Sequence, residues 1–368
     1  MAALLVLGAG CAAQPAVLRT GSTGSSPSAP APSAPAPAGT PTSAPAPPAA
    51  GSVFRRAFLN PDLTVADGSI YLTWWLAPPT NLPPRMALAR ASVATGQILA
   101  ENDFGPGGVS VPVYAAGSLW VTTDSTSAGE LLLRLDPHTL MVTGELQVAH
   151  RGTVSEANNH IAFAGNSIWV DGGNRLMQVS PRSVQPERVI ALPHADSSAV
   201  GASPDGRTLL VSVANSGVGT IQRRNPRTGA LIAASHVLLG VSAPVIGGVS
   251  GGVAWIAEPT GMMGYVERYQ TAAMTPDAAT KVEGTNGIRA GLWDGLLWVH
   301  GPAGGAATNY CAEPRTGRRL ATLTMPFRSQ PVLLGVGAKS FYYSYSASDN
   351  YRWRIAAAPI PAACTTRR

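Results

Sequence analysis

The sequence predicts an all-β protein, and three observations carry that reading. A phrase that runs turn, apolar, aromatic, apolar recurs seven times, centred on Tyr71, Trp120, Trp169, Leu210, Trp255, Trp298 and Tyr342, with leucine replacing the aromatic once. The copies stand 49, 49, 41, 45, 43 and 44 residues apart, the period of a four-stranded propeller blade. Turn signals sit at matched places in the repeats, and no amphipathic helical pattern competes with the strands. Together they predict a seven-bladed β-propeller of four-stranded antiparallel blades, preceded by a disordered Pro/Ala-rich tether.

In chain order, residues 1–11 read as a signal peptide, 12–51 as a linker and 52–366 as the propeller. The apolar run Ala2–Ala9 leads into Leu7-Gly8-Ala9-Gly10-Cys11, which has the apolar core and small-residue end of a secretory signal. No Lys or Arg precedes the run, so a true start further upstream is expected. The Gly-Ala-Gly-Cys ending resembles a bacterial lipoprotein lipobox, with Leu7 one position further out than usual. That resemblance implies that Cys11 is acylated and becomes the mature N-terminus; a plainly cleaved signal is the other reading. The run falls far short of the ~20 apolar residues that span a bilayer. From Thr20 to Gly51 the chain holds no charged residue and almost nothing that can bury a core, so it is expected to stay unstructured and extended. At about 3.1 Å per residue, a tether of roughly forty residues reaches on the order of 100 Å.

The repeats follow. The phrases are preceded by Asp67-Gly68, Ala116-Gly117, Gly165-Asn166, Asp205-Gly206, Gly251-Gly252, Asp294-Gly295 and, most weakly, Gly337-Ala338-Lys339. A tight hairpin between twisted strands needs positive φ, which Gly reaches freely and Asn less so. A second turn ends the third strand at Ala94-Thr95-Gly96, Asp136-Pro137-His138-Thr139, Asn225-Pro226-Arg227-Thr228-Gly229 and Glu313-Pro314-Arg315-Thr316-Gly317. The fourth unit, Ala202-Ser203-Pro204-Asp205-Gly206-Arg207 with the strand ending at Asn215 and the turn ending at Gly229, resembles the YVTN-type bacterial propeller repeat. The other six units resemble it more loosely, and the likeness covers roughly residues 53–360. It implies the fold; such propellers host binding proteins, lyases, lactonases and quinoproteins alike.

The last unit lacks a clean outermost strand, because only Pro359–Arg368 follows its third strand. Val53–Phe58 is strand-like and belongs to no complete unit, so it is expected to pair into the last blade and remove an exposed edge. A C-terminal strand through Ile360–Cys364 is the competing solution. With Cys11 used by lipid, Cys311 and Cys364 remain as a pair in an oxidising compartment, and a bridge between them is expected; a merely buried Cys311 is the alternative.

The formal net charge of +6 is carried almost wholly by arginine, since Lys281 and Lys339 are the only lysines. Spread over many blades, these arginines read as solvated surface charge that favours anionic headgroups or wall polymers. No nucleic-acid-binding motif accompanies them. The expected setting is the outer face of the cytoplasmic membrane or the cell wall, with the protein a lipid-anchored monomer. Its partner there is an envelope protein, a wall polymer or a small molecule.

In a propeller, the loops that lead into the inner strands open around the axial channel. The ionisable residues concentrate in two of them, Ser155–His160 and His194–Ser198, with His150 close by. Glu156, Asn159, His160, His194 and Asp196 are therefore the candidate ligand-binding residues. His, Asp and Glu converging on one mouth have the chemistry to hold a divalent metal or supply a general base. No cofactor is expected, and no short metal-ligand spacing occurs. The chain lacks the His-x-Glu of the streptogramin lyases and the phrases around the metal ligands of regucalcin-type lactonases. The tryptophans at 120, 169, 255 and 298 recur at the blade period, which makes them inter-blade core rather than a quinone-stacking site. A binding or scaffold module is the leading expectation, with an exported hydrolase or lyase behind it.

Overall fold

A computed structural model of the chain describes residues 53–54, 57–76, 85–125, 129–148, 160–193, 195, 197–236, 238–239, 244–260, 263–285, 289–300, 309–323, 325, 332–346 and 352–365. The chain divides between Met1–Ala46 and Pro47–Arg368, and every described residue lies in the second unit. Cys11 and the whole linker lie outside the described residues.

The second unit is a seven-bladed propeller of antiparallel strands in sequential order. The inner strands of blades 1 to 7 are the Asp62–Ala66 part of strand Phe58–Ala66, then Val113–Ala115, Ile161–Ala164, Ser197–Ala202, Val245–Ser250, Arg289–Trp293 and Val332–Val336. The first turns use the backbone geometry that their sequences announce. Asp67 and Gly68 both have positive φ, at 47° and 66°, as do Asp294 and Gly295, at 48° and 73°.

Every one of the seven phrases lies in the second strand of its blade, and each central residue is at most 2 % exposed. Side chains alternate between the two faces of a strand, and here both faces are covered by a neighbouring blade. Trp120 packs with Ile161, Ile168 and Val179 of blade 3, whereas its neighbours Leu119 and Val121 pack back on Tyr71 and Leu88 of blade 1. Burial on both sides is why the phrase reads as an unbroken apolar run rather than an alternation. Buried indole and phenol groups still need a polar partner. Tyr71 donates to the Pro137 carbonyl (3.2 Å), Trp169 to Pro226 (3.1 Å) and Trp255 to Pro314 (2.8 Å), in each case on the second turn of the next blade.

Arginines stitch the same joints. The residue facing the phrase centre across the third strand is Arg90, Arg134, Arg223 and Arg268 in blades 1, 2, 4 and 5. Each donates to a carbonyl on the second turn of the following blade: His138 (3.5 Å), Pro181 (3.1 Å) with Arg182 (2.6 Å), Thr271 (3.4 Å), and Arg315. This corrects the reading of scattered solvated charge: these four guanidinium groups tie blade to blade. In blade 6 the equivalent position is Cys311, opposite Trp298. Cys311 is disulfide-bonded to Cys364, on the short turn Ala362–Cys364 that follows the third strand of blade 7. A covalent tie thus stands where four of the other joints use arginine.

The ring closes through the chain's beginning. Strand Phe58–Ala66 serves two blades: Phe58 and Leu59 pair with Trp353 and Arg352 of blade 7, while Leu59 also pairs with Trp75 of blade 1 and Asp62–Ala66 pair with Thr73–Ser69. Leu59 belongs to both pairings, and the pairing with blade 1 shifts register between Leu59 and Asp62. The Val53 amide adds a hydrogen bond to the Ile355 carbonyl (2.9 Å), and Phe54, Phe58 and Trp74 meet edge to face at 5.3 Å. Residues 60–63 are therefore strand. The Ile360–Cys364 alternative is not taken, because that segment makes a turn instead.

Candidate functional site on the ring axis

A cavity of about 470 Å³ runs along the axis, lined by inner strands of blades 1, 2, 3, 5, 6 and 7. Its wall is largely apolar, with Leu63, Val113, Ile161, Ile246, Leu292 and Leu333. Strand register puts its carboxylate and its two imidazoles at one end, the face at which the chain enters each inner strand. Asp62 pairs with Thr73 near the start of its strand, His160 immediately precedes Ile161, and His300 pairs with Arg289, the first residue of its strand.

His160 is the best-defined group there. It is 9 % exposed, and its Nδ1 lies 3.2 Å from Oδ2 of Asp171, which is 1 % exposed. Oδ1 of Asp171 accepts from the Gly173 amide (2.7 Å) and from the Ser198 hydroxyl of blade 4. Burial works against the imidazolium, but the hydrogen bond and charge of Asp171, helped by Glu130 of blade 2, outweigh it and raise the His160 pKa above its usual value. The network spans three blades, and with Nδ1 committed to Asp171 it leaves Nε2 to face a ligand. It is not a nucleophile triad. Ser198 Oγ is held by Asp171 and by the Gly173 carbonyl (2.9 Å), so the carboxylate stands between serine and imidazole.

Of the five candidate residues, the structure places His160 on this cavity; Glu156, Asn159, His194 and Asp196 lie outside the described residues. Asp171, Ser198, Asp62 and His300 were not anticipated. Two of them carried a signal. The residue two past each phrase centre is Thr73, Thr122, Asp171, Ser212, Ala257, His300 and Ser344, polar in six of seven blades and buried in all. A polar residue ending an otherwise apolar strand marks the end that meets the mouth. Among the described residues, no three His, Cys, Asp or Glu side chains gather as a metal set. A second recess of about 480 Å³ lies on the opposite face between blades 3 and 4, lined by turn residues such as Asn166, Asp205, Arg207 and Arg227. It lacks both the apolar wall and the buried ionisable group of the axial cavity.

A His160 pKa raised by folding means that the native state holds the proton more tightly than the unfolded chain. Its contribution to stability is full below the unfolded value of about 6.5 and is lost as pH rises through the higher folded value. Denaturant unfolding at pH 5.5, 7 and 8.5 should show the wild type losing stability with rising pH relative to His160→Gln. Parallel curves would remove the charged pair from the account.

No family model matches the chain, and no curated protein matches it. Among solved structures, the computationally designed Ika8 protein shares 11% identity over 79% of this chain and 81% of its own, with a TM-score of 0.52. BamB from Moraxella catarrhalis shares 13% identity over 81% of this chain and 91% of its own, with a TM-score of 0.44. At these identities the likeness to the designed protein concerns the fold alone.

Proposed function

We propose that this protein is an exported, lipid-anchored binding module of the cell envelope, whose propeller holds a small molecule or the end of a polymer on its axis. The observation that carries this reading is the axial cavity, with an apolar wall and a His160 fixed in place by Asp171. Ligand sites combine these two features, because the wall supplies affinity and a few preset polar groups supply orientation. A scaffold role for an envelope protein uses the same ring through its surface loops. The hydrolase or lyase reading is weaker, because the serine in the cluster is engaged away from the imidazole.

The anchoring is tested by fractionation. Cys11→Ala should move the protein from the membrane to the soluble fraction, and unchanged partitioning contradicts lipid attachment. Binding is tested by thermal shift against soluble wall fragments and divalent ions. Stabilisation by a wall fragment supports the binding reading. Stabilisation by a metal alone, with metal found in the purified protein, favours the enzyme.

A further inference from the structure

We propose that the axial cavity takes a saccharide, stacking a pyranose face on Trp293 and meeting its hydroxyls with Asp62 and His160. The inference rests on the binding reading above and names the class of molecule bound. Trp293 ends the inner strand of blade 6 and is half-buried. One side packs on the cluster around Trp298, Leu333 and Phe341, and the residue also lines the cavity. Gly291, two residues earlier on the same strand, explains how the indole lies. A Cβ at 291 would stand 2.2–2.6 Å from Cη2, Cζ3 and Cζ2 of Trp293, so the ring lies directly over the glycine, along the strand. Any larger residue there would push the ring away. Across the axis on blade 2, half-buried Tyr114 also lines the cavity, held by stacking on Tyr71 at 6.4 Å and 14° and by its hydroxyl on Asp67 Oδ2 (3.4 Å).

The cavity therefore offers two aromatic surfaces fixed by their own packing, and at its mouth a carboxylate and an imidazole, the latter locked from behind. A pyranose has the matching surfaces: an apolar C–H face that suits an aromatic ring, and an edge of hydroxyls that each donate and accept. An alkyl chain would leave Asp62 and His160 unused, and a compact ion would leave the aromatic wall unused. A cavity with both an aromatic wall and polar groups at its mouth favours the molecule that uses both.

The experiment is calorimetric titration of the full chain with maltose, cellobiose, chitobiose and trehalose. Sorbitol serves as a polyol without a ring face and octanoate as an apolar control. At least one disaccharide should bind and sorbitol should not. Trp293→Ala should weaken that binding on the order of tenfold or more, while Trp293→Tyr retains most of it. His160→Gln, which keeps a hydrogen-bonding group, should weaken it several-fold, with thermal unfolding confirming that each variant is folded. If octanoate binds and no disaccharide does, the saccharide assignment is wrong and axial binding stands. If neither these probes nor wall fragments bind, both fail. Disaccharide binding that Trp293→Ala and Trp293→Tyr leave unchanged places the sugar elsewhere and overturns the proposal.

Discussion

Trp169→Ala should destabilise the ring by about 3–5 kcal/mol, the lost transfer energy of a buried indole plus the cavity left behind. For a domain of this size that lowers the unfolding midpoint by roughly 5–10 °C. Trp169 is fully buried between blades 3 and 4, against Val200, Leu209 and Val211, and its Nε1 donates to the Pro226 carbonyl. Truncation therefore empties a joint and removes the donor to a half-buried carbonyl at once. Trp298→Ala should act similarly at the joint of blades 6 and 7, where the indole meets Leu333, Phe341 and Tyr343. Loss of Trp169 should not change binding on the axis beyond what reduced stability causes, whereas Trp298 also lines the axial cavity and donates to the Trp293 carbonyl, so its loss should weaken binding as well. Intact stability together with lost binding would make the tryptophans a functional lining.

The second large effect concerns the same joint. Cys311 and Cys364 close a loop with a sequence separation of 53, for which restriction of the unfolded chain contributes about 4 kcal/mol. The double variant Cys311→Ala/Cys364→Ala should lose most of that stability. An Arg134→Ala variant, removing one non-covalent tie, should lose much less. Thiol labelling of the exported protein, denatured without reductant, should find neither cysteine reactive; labelling at both would refute the bridge. The double variant should also unfold first at blade 7, because the remaining closure relies on Phe58, Leu59 and Val53.

The repeat period made the fold legible because each blade solves the same packing problem with the same strand. Its phrase is buried on both faces, so the aromatic at its centre is hard to replace and easy to see. The second turns were less legible. Those with Pro and Gly announce themselves, whereas Gln270-Thr271-Ala272-Ala273 in blade 5 carries neither. There Met274 takes the left-handed position at φ 53° that Gly229 and Gly317 occupy elsewhere, and burial of its side chain offsets the strain. The arginine ties escaped notice because charge is normally read as surface. Their regular place, two residues before the turn opens at Asp136 or Asn225, was visible all the same. The site was half legible. His160 stands out as an ionisable residue in a mouth loop, but Asp171 lies at the end of a core strand, outside the loops where ionisable residues concentrate. Trp293 gave no signal, because its use depends on where a neighbouring glycine lets its ring lie.

The central claim is that this ring works by holding a small molecule on its axis, and amide chemical-shift mapping with a bound probe from the panel above tests it most directly. The account expects the shifts to cluster on the inner strands, at Val113, Ile161, Leu292 and Leu333, with His160 and Trp293 among the largest. Shifts confined to the exposed outer strands, around Val142, Val189 and Leu231, would contradict it.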